Sequence, residues 1–149
     1  MFVDLYYCKF DEKGRLMLPV DLRKSLASYI NEGITLNYNI LTKCVDILTQ
    51  PDLKKIEDYF AKLDPFDPEH LEFMNLTFVL TKSAVIDNSG RMLVAPELKI
   101  AANLGKEVVI KGRGANFAIW NKEKYEESVR NGMEKYPELA KSIRDYINK

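Results

Sequence analysis

Asp11-Glu-Lys-Gly-Arg-Leu-Met-Leu-Pro19 returns, little altered, as Asp87-Asn-Ser-Gly-Arg-Met-Leu-Val-Ala-Pro96. The stretches lie 76 positions apart, and that offset also carries Gly14 to Gly90, Arg15 to Arg91, Leu16 to Met92, Leu18 to Val94 and Leu22 to Leu98. The proline slips by one, from Pro19 to Pro96. Farther along, residues 33–38 match 107–111, and residues 44–49 match 116–121 at an offset of 72. Self-similarity at a steady offset marks a structural unit made twice. Each half reads strand, tight turn, strand, short helix, strand, turn, strand, helix.

The local signals support that order. Residues 2–10 are rich in Val, Tyr and Phe, as strands are. In Asp-x-x-Gly the aspartate accepts backbone N–H bonds and the glycine takes a positive φ, so Asp11, Gly14, Asp87 and Gly90 are expected to make turns. Pro19 and Pro96 suit the first turns of short helices, with Leu22 and Leu26 buried in one and Leu98, Ala101 and Ala102 in the other. Lys111-Gly-Arg-Gly114 reads as a hairpin turn. In the middle, residues 51–63 form a helix, and Asp67 caps a second with Pro68 at its first position. That helix runs to about Leu80 and is apolar nearly all round at its end, which predicts burial on more than one side. Asn121 caps a helix over 122–133, and Pro137 starts a last one striped by Leu139, Ile143 and Ile147. Such stripes read as core or subunit contact. The division expected is 1–50 as a first half, 51–82 as connecting helices, 83–130 as a second half and 131–149 as a terminal helix.

Composition narrows the function. The 149 residues are 46% hydrophobic, and Lys+Arg balance Asp+Glu at 22 each. A neutral chain does not coat nucleic acid indiscriminately, so any such contact is a local patch. Residues 51–82 hold four basic and seven acidic residues, whereas 83–121 hold five and three. Cys8 and Cys44 sit in apolar, strand-like stretches and read as small buried hydrophobes of a reducing compartment. Two cysteines and one histidine without a C-x-x-C pair give no metal site. No basic-then-apolar leader and no run of about 20 apolar residues is present, so a soluble, cytoplasmic protein is expected.

Catalytic patterns are thin. No phosphate loop, G-x-G-x-x-G or G-x-S-x-G occurs. His70 lies near a helix start in an acidic stretch and reads as solvated or capping. Trp120, on an alternating strand with Phe117 and Ile119, reads as core. An aspartate dyad across the repeat is disfavoured, because each Asp precedes an Arg that lowers a carboxylate pKa. Two readings remain for Arg15 and Arg91. Each pairs with its own aspartate to hold the turn, or each points outward at an anion, for which nucleic acid is the natural ligand of a repeated arginine.

The two motifs together resemble the paired signatures of the MraZ family of bacterial transcriptional regulators, including the shifted second proline. Lys106-Glu-Val-Val-Ile-Lys-Gly112 and Phe117-Ala-Ile-Trp-Asn-Lys-Glu-Lys-Tyr125 are similar to that family's closing pattern, and Met1-Phe2 to its start. The resemblance covers residues 1 to about 130. It implies an α+β fold in which two pseudo-symmetric swapped-hairpin halves of the AbrB/SpoVT type form one β-barrel-like core with surrounding helices. It implies a nucleoid-associated, homo-oligomeric ring of octamer size or larger, bound to double-stranded DNA at promoter direct repeats. The cluster repressed there would be that of division and cell-wall genes, with no enzyme activity, cofactor, small-molecule substrate or membrane. Arg15 would contact DNA, with Arg91 its symmetry mate and Lys13 a phosphate contact. The chain departs from the pattern at Asp4, where the family often has glycine, and in its second middle helix, which has no arginine. Ser89 stands where the first copy has Lys13. A second reading is a ring-forming scaffold on the same fold with weak or no DNA binding.

Overall fold

The computed structural model describes residues 1–149. The order is β1 (Leu5–Lys9), β2 (Arg15–Met17), α1 (Val20–Ile30), β3 (Ile34–Asn39), β4 (Cys44–Leu48), α2 (Gln50–Phe60) and α3 (Pro68–Thr77). Then come β5 (Thr81–Ala84), β6 (Arg91–Leu93), α4 (Pro96–Ala101), β7 (Glu107–Gly112), β8 (Phe117–Asn121) and α5 (Lys122–Ile147). The fold is α+β. A six-stranded antiparallel sheet runs β1-β7-β8-β4-β3-β5, and β2 and β6 form a separate two-stranded ribbon. The sheet stays open, with β1 and β5 as its edges, instead of closing into a barrel.

The repeat explains the strand order. Exchanging each first-half strand for its second-half counterpart turns the order into its own reverse. The first strand of each half adds to the third strand of the other, β1 to β7 and β5 to β3. Cys8 pairs with Val108 as Ala84 pairs with Ile34. The pseudo-two-fold passes between Leu16 and Met92 in the ribbon and between Asp46 and Ala118 in the sheet. Neither half completes its sheet without the other.

Leu16, Met92, Leu22 and Leu98 are wholly buried, two from each half. They belong to one cluster of 20 buried residues that joins the ribbon, the sheet and the short helices α1 and α4. A buried Leu or Met contributes about 1.5–3 kcal/mol. Cys8 and Cys44 are buried free thiols, and burial pushes both up to about 11. Asp46 is buried beside Arg113 and accepts Asn39 Nδ2–H at 3.1 Å; burial outweighs the guanidinium and raises its carboxyl.

The structure departs from expectation in three places. α3 has no buried residue, against the expected burial on several sides. Periodicity marks an apolar face but not what covers it. It is anchored at its ends, by Asp67 Oδ1 accepting Glu69 N–H at 2.9 Å and by Asn37 Nδ2 donating to Thr77 O at 2.9 Å. α5 is one helix of 26 residues that runs through Pro137, not two. The hydrogen bond that proline cannot make leaves the carbonyl of Met133, an exposed residue that water reaches. Trp120 is half-buried, its ring 5.6 Å from Tyr125 of α5, instead of enclosed. His70 takes the capping role, its Nδ1 accepting Asp64 N–H at 2.9 Å.

Candidate nucleic-acid interface

Asp11 organises the turn between β1 and β2. Its Oδ1 accepts the backbone N–H groups of Lys13 and Arg15, both at 2.9 Å, and its Oδ2 accepts Arg15 Nε–H at 2.8 Å. Gly14 donates its N–H to Asp11 O at 3.1 Å from a φ of 78°, a conformation that costs other residues. The second turn repeats this bond for bond. Asp87 Oδ1 accepts from Ser89 and Arg91 at 2.9 Å, Oδ2 accepts Arg91 Nε–H at 3.0 Å, and Gly90 has a φ of 82°. The Arg15 and Arg91 amides, above all, hold the two carboxyls below the usual carboxylate range. Each aspartate is committed to its own turn and depressed, so the pair has none of the shared-proton character of a catalytic dyad.

Each arginine gives only its Nε to the aspartate. The terminal guanidinium nitrogens make no hydrogen bond within the chain, and the side chains remain 26% (Arg15) and 34% (Arg91) exposed. The turn-holding pair is therefore present and does not use up the guanidinium. Pairing in the ribbon sets Arg15 opposite Leu93 and Met17 opposite Arg91. With Leu16 and Met92 facing the core, strand alternation sends Arg15, Met17, Arg91 and Leu93 to one outer face. The arginines occupy diagonal corners, a separation of about 7–8 Å for such neighbours. Lys13 is exposed beside the first turn and contributes only its backbone amide to it.

Two further cations join the turns. Lys99 of α4 places Nζ 3.7 Å from where a Cβ on Gly14 would sit and 4.2 Å above the Phe10 ring. Arg23 of α1 packs over Gly90, where an added Cβ would meet its Cδ at 2.5 Å, and its buried Nε has no partner. Each half thus lays a basic side chain on the other half's turn. Arg23 and Lys99 are 76 positions apart, so the repeat offset, read one helix farther, is the signal that identifies them. No group of three or more His, Cys, Asp or Glu side chains is arranged to hold a metal, and no helix is long and apolar enough to cross a membrane.

Comparison with known proteins gives a consistent result. The family model described as "MraZ protein, putative antitoxin-like" matches residues 77–140. The protein named transcriptional regulator MraZ from Dictyoglomus thermophilum is 35% identical over 129 residues, covering 85% of this chain and 84% of that one. Its namesake from Mycoplasmoides gallisepticum is 30% identical over 145 residues, 97% and 99% of the two chains. The Flavobacterium psychrophilum protein of the same name is 27% identical over 146 residues, 98% and 93%.

Proposed function

The chain belongs to the MraZ family of transcriptional regulators, a family of regulators and not of enzymes, and we propose that it regulates by binding double-stranded DNA with its two arginine turns. The observation that carries this is the outer face of the β2–β6 ribbon, where Arg15 and Arg91 sit at diagonal corners with their terminal nitrogens free. The major groove, about 12 Å wide, admits a two-stranded ribbon, and a guanidinium pairs bidentately with guanine or phosphate. Met17 and Leu93, between the arginines, are apolar partners for thymine methyls. Lys13 and Lys99 at the first turn and Arg23 at the second supply phosphate contacts. The first turn, with its extra lysine, is the stronger of the two.

Net charge is zero, so one subunit binds weakly. The family resemblance supplies the remedy, a homo-oligomeric ring that brings several turns to direct repeats, where weak contacts add through effective concentration. On this reading the repeats lie upstream of the division and cell-wall gene cluster, the effect is repression, and the protein is nucleoid-associated. The test is retardation of the DNA upstream of its own gene. Arg15→Ala loses retardation while it keeps the wild-type oligomeric mass and gives up only the small stabilisation of its partly exposed pair with Asp11; retardation equal to wild type removes Arg15 from the interface. The acidic α2–α3 segment, four basic against seven acidic residues over 51–82, favours the second reading, a ring scaffold without DNA binding. That reading predicts an oligomer that retards no promoter DNA even at low salt.

A further inference from the structure

We propose that the apolar stripe of α5 docks on the α2–α3 hairpin of a second copy of this chain, head to tail, and that this contact is the joint of the ring. The inference rests on the ring assembly proposed above and names its two faces. After Tyr125, which packs on Trp120, α5 leaves the sheet, and no residue of its 26 is buried. At 1.5 Å per residue the helix is about 39 Å long. Val129, Met133, Tyr136, Ala140, Ile143 and Ile147 recur at alternating steps of four and three, a heptad seam. Val129 is 40% and Met133 72% exposed. The hairpin offers apolar surface in turn: Leu71 and Leu76 of α3 and Val79 just beyond it are 43%, 45% and 54% exposed, while Phe73 packs inward against Tyr59 and Phe60 of α2.

Charge chooses between partners. One edge of the seam holds Arg130 and Arg144 with Pro137 between them, and the other holds Gly132, Leu139 and Tyr146. Neither edge carries an acid, so a second α5 offers nothing to the arginines. The hairpin does: residues 50–77 hold three lysines and seven carboxylates, of which only Asp52 is buried. Area agrees. The chain exposes 9992 Å², whereas a folded monomer of its 17.2 kDa exposes about 7,800 Å². The surplus, about 2,200 Å², is of the order of two interface faces at about 800 Å² each, which is what a ring subunit covers. A contact between two different faces is heterologous, and it closes into a ring when its rotation permits.

The test uses the full chain and two double variants at exposed positions, Met133→Glu/Ile143→Glu in the stripe and Leu76→Glu/Val79→Glu in the hairpin, with mass read by chromatography and light scattering. Wild type is expected as a higher oligomer and each variant as a monomer. Mixed in equal amounts, the variants form a one-to-one dimer and nothing larger, because only one intact stripe and one intact hairpin can meet. A hairpin variant that dimerises alone, or a mixture that stays monomeric, overturns the proposed joint. So does a variant that keeps the wild-type mass, with the ring itself left standing. A monomeric wild type overturns the ring as well. Should circular dichroism show either Glu variant unfolded, Ser at the same positions carries the same test.

Discussion

Exchanging the lysine between the two turns tests the interface residue by residue. Lys13 and Ser89 occupy the same place in turns whose hydrogen bonds agree within 0.2 Å, and both donate their backbone N–H at 2.9 Å to the preceding aspartate. Their side chains therefore leave equivalent backbone in equivalent directions. Both residues are exposed, so Lys13→Ser and Ser89→Lys each change stability by no more than about 0.5 kcal/mol. Their effect on DNA binding is larger. Each cation withdrawn from a phosphate reduces the slope of log K against log salt by about 0.9. Between 50 and 200 mM salt, one contact is worth about 3.5-fold in affinity, and two contacts from two bound subunits about 12-fold. Lys13→Ser is expected to flatten the slope by that amount. Ser89→Lys is expected to steepen it equally, because both turns border one ribbon face. The assay is fluorescence anisotropy of a labelled promoter duplex over a salt series. A wild-type slope for both variants refutes the placement of these turns at phosphates.

Other outcomes follow from the interior and the turns. Leu16 is wholly buried on the pseudo-two-fold, so Leu16→Ala should cost about 2–5 kcal/mol in urea denaturation; a loss below about 1 kcal/mol contradicts the central place given to the ribbon. Asp11 and Asp87 have depressed carboxyls, so their contribution to stability is complete above the unfolded value of about 3.9 and is lost as pH falls through the lower folded value. NMR shifts of the Lys13 and Ser89 amides should titrate only below that pH, and a midpoint above it contradicts the turn geometry. Cys8 and Cys44, pushed up to about 11, should resist iodoacetamide at pH 8 until the chain is denatured. Rapid labelling of the native protein, read by mass spectrometry, contradicts their burial.

The turns were legible because their information is local. Asp, Gly and Arg at fixed spacing dictate the carboxylate–amide bonds, and the offset of 76 says that they are made twice. The exchange of first strands was not legible from the residues alone. β1 joins β7 about a hundred residues away, and no local signal says which half supplies the partner. α3 misled because an apolar face reads the same whether its cover is the chain's own core or another subunit. Pro137 misled because proline favours helix starts, while the structure accepts one inside α5 at an exposed turn. Arg23 and Lys99 were legible in principle, since they obey the repeat, but a basic residue on a short helix looks like ordinary surface until the fold lays it on the other half's glycine.

Hydrogen–deuterium exchange of the wild-type protein, with and without the duplex from upstream of its own gene, locates the interface without altering a residue. Slowed exchange is expected in two segments 76 positions apart, residues 11–17 and 87–93, with the first the more strongly protected. Protection confined to α2–α3, or none at either turn under conditions where the duplex is bound, would contradict DNA recognition by the arginine turns.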